Sequence, residues 1–336
     1  MAKRNWVLLA ILGVVVVAIP PFLGGYFQHV LILIMMWIIM ATAWNLLGGY
    51  CGQVSFGHAV FFGLGAYGGG LLRLHWGLSP WWGMIVGPLL AVVISIPIGL
   101  VTFRLRGAYF ALAMLALGEA FRIVFTNWVP VTAGAVGIIT SRTWGADKLP
   151  YYYITLAIAA LSISIVYRLI HSKFGYYFVA IREDQDAAEG LGIPTTRYKL
   201  YALIPSAFFT GLAGAVYMNY FAYIEPHTVF NLSAISIMMI LAVMMGGAGT
   251  LWGPVFGAAL YTILSEALRA AIGPMSYLVF PIIACLIIMF LPDGIIGDWE
   301  KIKRVFSRQK PVSVDGNFEA ERAPMPANRR RGSRLC

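Results

Sequence analysis

The chain has 336 residues, of which 60% are hydrophobic and 11% charged, with a mean hydropathy of +0.79. A soluble protein of this length keeps far more charge on its surface, so the composition excludes a soluble enzyme or binding module and describes a chain built for lipid. The net charge of +10 is concentrated in the C-terminal tail, where Arg329, Arg330 and Arg331 sit in no folded module; nucleic acid is a poor partner for it, and such a tail either meets anionic lipid headgroups or is disordered.

A bilayer crossing takes roughly 20 predominantly apolar residues. Runs of this kind recur at 7–23, 28–47, 53–72, 82–103, 108–128, 151–170, 201–223, 233–246, 253–270 and 275–292. The predicted fold class is therefore an all-α polytopic membrane protein with about ten transmembrane helices. The first run follows Lys3 and Arg4 as a signal peptide would, but no small-x-small cleavage site precedes Pro20-Pro21, and an uncleaved span is expected. Between the second and third runs, Asn45, Gln53, Ser55 and His58 flank Gly48, Gly49 and Gly52. Polar side chains beside glycines at that depth predict an interrupted helix near a translocation path, although a single histidine is more often simply packed. Gly65 and Gly69, and again Gly249, Gly253 and Gly257, have the four-residue spacing that lets helix backbones approach in lipid. The two glycine-rich stretches, early in one half and late in the other, are a weak sign of an internal repeat.

Glu119 and Arg122 lie three residues apart within the fifth run. Charge in lipid is costly unless paired or facing water, so they either neutralise each other or line the path, and spacing leaves the two readings level. Glu266 and Arg269 repeat the spacing near the end of a run, where water is close, and read as an exposed pair.

With Lys3 and Arg4 in the cytoplasm and sides alternating through ten spans, only Arg73, Arg142, Lys148 and Arg269 fall outside, and Arg122 lies within a span. That asymmetry predicts cytoplasmic N and C termini and a cytoplasmic loop over 168–199. Within this loop, Asp186 and Glu189 fit a D-x-x-E helix start. Glu183, Asp184 and Asp186 stand where the helix dipole favours negative charge. Gly192 suits a left-handed helix end, and Pro194 prevents continuation. The prediction is a short cytoplasmic helix along the membrane with Ala187 and Ala188 exposed, a knob for a groove in a soluble partner. Spacing alone leaves this level with an ordinary surface loop. Residues 1–295 are expected to form one transmembrane domain, followed by a basic, disordered cytoplasmic tail at 296–336.

Catalytic patterns are missing. The sequence has no GxxxxGK[ST] and no Gly-Lys dipeptide, so it carries no phosphate-binding loop of its own; HExxH and GxSxG are also missing. Cys51, Cys285 and Cys336 lack metal-ligand spacing, and His29, His58, His75, His171 and His227 are scattered. A polytopic membrane enzyme is the weakest class.

DQDAAEGLGIPTTRYKLYAL (184–203) with SAFFTGLAGAVY (206–217) resembles the coupling loop and following helix of ABC importer permeases. WNLLGGYCGQVSFGHAVFFGLGAY (44–67), GAYFALAMLALGEAFRIVFTNW (107–128), TAGAVGI (132–138) and GGAGTLWGPVFGA (246–258) extend the likeness, in family order, to the LivM type of high-affinity branched-chain amino acid permease. The resemblance covers most of 40–295. Asp186 stands where the general loop signature has glutamate, and the basic tail lies outside the family pattern.

The resemblance implies a permease subunit rather than an enzyme, working in the inner membrane beside a LivH-type second permease. Two cytoplasmic ATPases would dock on Glu183, Asp184, Asp186, Ala187, Ala188, Glu189 and Gly192, and a periplasmic binding protein would deliver the cargo. ATP and Mg would be held by the ATPases, with no cofactor on this chain. The alternatives are a urea or short-amide permease and an ion-coupled secondary transporter, the latter normally richer in deep acidic residues than this chain.

Overall fold

The computed structural model describes residues 17–140, 145, 147–291 and 294–297. The main helices are α1 (Gly25–Asn45), α2 (His58–Trp76), α3 (Pro80–Thr102), α4 (Ala108–Asn127), α5 (Leu149–Ile170), α6 (Lys173–Glu183), α7 (Gln185–Gly190), α8 (Thr195–Phe221), α9 (Met238–Gly246), α10 (Gly253–Ile272) and α11 (Ser276–Phe290). Two short strands, β1 (Ile138–Ile139) and β2 (Tyr223–Ile224), pair antiparallel with Ile138 opposite Ile224. Large apolar side chains on α3 (Trp81, Trp82, Ile85, Leu89) and α11 (Leu278, Ile282, Leu286) point away from the protein. In water such faces would be a liability; against hydrocarbon they cost nothing.

Among the described residues, seven helical stretches are long and apolar enough to cross a bilayer: Gly25–Tyr50, Pro80–Thr102, Ala108–Asn127, Leu149–Ile170, Thr195–Phe221, Pro226–Gly246 and Gly253–Gly297. The difference from the expected spans has three sources. Most of the run at 7–23 lies outside the described residues. The run at 53–72 does form a helix, α2, but its glycines, Arg73 and two histidines lower its hydropathy. The last stretch, 45 residues long, contains both α10 and α11, which match the separate runs at 253–270 and 275–292. The expected domain boundary at 295 falls within a helical turn, Gly294–Gly297, and the tail beyond it lies outside the described residues.

Contacts between the connections sort them onto two ends. At one end, Asn45 Nδ2 donates to the Thr250 carbonyl (2.8 Å), Arg182 Nη1 donates to the Gly49 carbonyl (3.2 Å), and Arg106 pairs with Asp186. This brings together the α1–α2, α3–α4, α5–α8 and α9–α10 connections. At the other end, Thr140 N donates to the Ala222 carbonyl (2.8 Å), Lys148 Nζ donates to the Gly25 carbonyl (2.8 Å), and a His75 ring nitrogen bonds the Val131 carbonyl (3.2 Å). The long helices therefore alternate in direction.

The centre of the bundle is a glycine seam. A Cβ on Gly65 of α2 would fall on the Gly211 carbonyl of α8, and one on Gly68 would lie 2.7 Å from Gly87 Cα of α3. On the far side, a Cβ on Gly257 of α10 would strike the Ala242 carbonyl of α9. Only glycine permits these approaches, and backbones this close gain dispersion contacts that lipid cannot replace. The expected packing role of Gly65 and Gly257 is thus met. Gly249 differs: it lies in a turn with φ +72°, outside any helix. Trp44, Phe61, Phe62, Tyr67 and Phe209 fill the interior around the seam.

Candidate functional site

Helices α6 and α7 form the polar segment at the first end. Ser172 caps α6, its hydroxyl accepting from Phe174 N (3.2 Å). Asp184 then breaks the helix in extended conformation and caps α7, its Oδ1 accepting from Asp186 N (2.9 Å) and Ala187 N (3.0 Å). The cap is therefore Asp184, two residues before the predicted Asp186. Glu189 cannot complete the predicted box because its carboxylate is engaged elsewhere: Thr195 Oγ1 donates to it at 2.6 Å and Gln185 Nε2 at 2.9 Å. These two bonds, with Arg106 beyond them, hold the Glu189 carboxyl below its ordinary range. At the other terminus Gly192 has φ +82°, as predicted, and Ile193 N returns to the Ala188 carbonyl (3.1 Å).

The two alanines face opposite ways. Ala187 is exposed, but Ala188 is only 2% exposed and belongs to the core. Successive residues on a helix point about 100° apart, and α7 is seated so that the Ala188 direction is the one turned to the bundle. The outward face is instead Ala187, Gly190 and Leu191, with Leu191 83% exposed.

Two basic residues to which spacing gave no partner anchor this helix, and a third ties the end of α6 to the break after α1. Arg106, from the α3–α4 connection, pairs with Asp186 and reaches Glu189 at 3.3 Å. Lys199 of α8 is fully buried, donates to Gln185 Oε1 at 2.6 Å and lies 5.8 Å from the centre of the Phe103 ring. Arg182, at the end of α6, pairs with Glu183 (2.7 Å) and reaches the Gly49 carbonyl. The excess of basic residues on one side hinted at all three, but no spacing rule joins Arg106 to a residue 80 positions away.

The predicted interruption after α1 is present. A π-helical turn, Leu46–Tyr50, leads into the non-helical stretch 51–57. Asn45 stitches this break to the α9–α10 connection, accepting from Gly249 N (2.9 Å) and donating to the Thr250 carbonyl. Gln53 is partly exposed beside it, its backbone N–H bonded to the Leu47 carbonyl (3.0 Å). Ser55 and His58 are fully buried. The imidazole of His58 bonds Ser55 Oγ (3.1 Å) and Ser206 Oγ of α8 (2.8 Å). A neutral ring has one donor and one acceptor, so both nitrogens are satisfied. In this conformation Ser55 and His58 bolt α2 to α8 rather than face open space.

Glu119 and Arg122 do form an ion pair, with Arg122 Nε donating to Glu119 Oε2 at 2.9 Å. They lie in the second half of α4, toward the β1–β2 end, with side chains 50% and 24% exposed. Arg122 Nη1 also donates to His227 Nδ1 (2.9 Å), from the short turn Pro226–Val229, a partner that spacing could not reveal. The second pair, Glu266 and Arg269 (3.3 Å apart), was expected to be exposed; Arg269 is, at 53%, but the Glu266 side chain is 14% exposed, and both line a cavity of about 600 Å³. Among the described residues no group of three or more His, Cys, Asp or Glu could hold a metal ion.

A family model described as "Branched-chain amino acid transport system / permease component" matches residues 26–291. The high-affinity branched-chain amino acid transport system permease protein LivM of Escherichia coli (strain K12) is 28% identical over 323 residues, covering 88% of this chain and 75% of that protein. A probable branched-chain amino acid transport permease protein LivM of Methanocaldococcus jannaschii is 23% identical over 321 residues, 79% of this chain and 93% of that one. The probable LivH of the same organism is 27% identical over 227 residues, 64% of this chain and 67% of its own.

Proposed function

Because the chain belongs to the family of permease components of branched-chain amino acid transport systems, we propose that it is one of two transmembrane subunits of an ATP-driven ABC importer carrying branched-chain amino acids across the inner membrane. Its working partners are a LivH-type permease, two cytoplasmic ATPases that bind the ATP and Mg, and a periplasmic binding protein. The α7 end faces the cytoplasm. In support, Arg104, Arg106, Arg168, Lys173, Arg182, Arg197 and Lys199 all lie on or next to the connections at that end, whereas Arg73, Lys148 and Arg269 lie toward the other. The alternating connections suit ten spans once the run at 7–23 is counted, with both termini cytoplasmic.

The observation that carries the mechanism is how α7 is held. It turns Ala187, Gly190 and Leu191 outward while side chains tie it to the α3–α4 connection and to α8, and Arg182, two residues before its cap, reaches the break after α1. A partner that grips the outward face moves these elements together. Helices joined at a glycine seam shift as bodies, so a displacement at one end becomes a change in which end is open. The ATPases supply the energy, and this chain converts their closure into alternating access.

The test is uptake of labelled leucine by proteoliposomes containing both permeases and the binding protein, with and without the ATPases. Uptake should require the ATPases and internal ATP, and persist when ion gradients are collapsed. Gradient-driven uptake without the ATPases would make the chain a secondary transporter. ATP-driven uptake of urea or a short amide in place of leucine would change the cargo and keep the mechanism.

A further inference from the structure

The cavity at the end opposite α7 is bounded by α1, the end of α8, the 228–238 segment, α10 and α11. Its volume of about 600 Å³ is ordinary for a small-molecule site. One wall is a chain of aromatic rings: Trp37 meets Tyr261 edge-on with centroids 4.5 Å apart, and Tyr261 meets Phe280 at 4.9 Å. Another wall carries Glu266 and Arg269, one turn apart on α10, so the lining presents one negative and one positive charge side by side.

These charges are joined only loosely. Arg269 Nη1 lies 3.3 Å from Glu266 Oε1, long for a charge-assisted bond. Arg269 also donates to the Tyr277 hydroxyl at 3.3 Å, yet its side chain remains 53% exposed, leaving room on the guanidinium fork for a carboxylate. Glu266 is mostly buried and gains from any further cation that reaches it. A purely anionic ligand would crowd Glu266, and a purely cationic one would crowd Arg269. A ligand whose opposite charges stand two bonds apart, with an apolar body beyond them, matches both walls at once.

We infer that this cavity binds a free α-amino acid as its zwitterion, with Arg269 taking the carboxylate, Glu266 taking the ammonium group, and Trp37, Tyr261 and Phe280 enclosing the apolar side chain. This rests on the transport reading above and adds to it a location in this subunit where cargo halts after leaving the binding protein.

The experiment uses the assembled transporter in nanodiscs and proteoliposomes. Ser265, which lines the cavity, is changed to cysteine (Ser265→Cys) in a chain also carrying Cys285→Ser and Cys336→Ser, and modification by a water-soluble methanethiosulfonate reagent is timed. Leucine should slow the reaction, whereas 4-methylpentanoate, lacking the ammonium group, and 3-methylbutylamine, lacking the carboxylate, should not. Arg269→Gln or Glu266→Gln should raise the leucine concentration needed for protection about tenfold or more, the effect of losing one charge-assisted bond. ATP-driven leucine uptake by the unaltered transporter is measured in parallel. Uptake with no leucine protection, or equal protection by either analogue, overturns the zwitterion site and leaves the transport reading standing. Protection that follows the phosphatidylglycerol content of the nanodisc, independent of leucine, makes the cavity a lipid site and also overturns it. Leucine protection without ATP-driven uptake counts against the transport reading alone. The comparison of leucine with its analogues needs no charge variant, so it decides the matter even if those variants fail to assemble.

Discussion

At the α7 end the connections are joined through side chains: Arg106 and Lys199 reach α7, Thr195 bonds its Glu189, and Arg182 at the end of α6 bonds the Gly49 carbonyl. At the opposite end β1 is paired to β2 and Thr140 N bonds the Ala222 carbonyl, so backbone joins stand beside the side-chain bonds of Lys148 and His75. Side-chain joins can be exchanged one at a time as an element moves, whereas a strand pair breaks as a unit. The difference suits an end that moves with a partner and an end that keeps its shape, and variants at each end test it.

The largest effect is expected from Ala188→Arg. Ala188 is buried against the bundle, so the guanidinium enters without a partner, at a cost of about 3 kcal/mol or more. Both membrane level and ATPase recovery should fall. Ala187→Arg, on the outward face, should leave membrane level normal and abolish ATPase recovery alone. Equal behaviour of the two in a co-purification assay would refute the assigned facing of α7.

Next is Gly137→Val at the strand end. Gly137 has φ +77°, and a Cβ there would fall on the Ile224 carbonyl. Strain and clash together should cost about 2–3 kcal/mol, read as a lower thermal midpoint of the purified complex. A midpoint equal to the parent's would show that the strand pair contributes little. Asp184→Ala removes two capping bonds and should cost about 1 kcal/mol. Its effect should appear as faster amide exchange confined to 185–190, with α8 unchanged. The smallest change is expected from Arg106→Ala. Its ion pairs are more than half exposed on the arginine side, so they contribute about 0–1 kcal/mol. Stability should hold while uptake per ATP hydrolysed falls; unchanged uptake would remove Arg106 from the transmission.

The two Glu–Arg pairs show where spacing stops being informative. Both have the same i, i+3 separation, and both form. Counting along the chain put Glu119 and Arg122 within a span and Glu266 and Arg269 near the end of one, as an exposed pair. In the structure Arg122 meets His227 as well as Glu119, and Glu266 lies in a cavity wall while Arg269 is about half exposed. Position along one helix says which side chains share a face. What covers that face depends on segments 105 residues away, as His227 is from Arg122.

Much of the molecule follows from local rules. Apolar runs of bilayer length become helices because a backbone in lipid must satisfy its own hydrogen bonds. Of the glycines at four-residue spacing, Gly65 and Gly257 mark close helix contacts, and the polar stretch with Gly192 and Pro194 becomes a short capped helix. These outcomes depend on neighbours within a turn or two, which one sequence contains in full. The choice of Asp184 over Asp186 as the cap is local too, with Gln185 and Thr195 occupying the Glu189 carboxylate. The tertiary structure alone decided that Ala188 faces inward, that Ser55 and His58 are enclosed by α8, and that Arg106 and Lys199 meet α7. Each depends on which surface a helix turns toward a distant segment, and that orientation is set by the packing of the whole bundle rather than by any stretch of it.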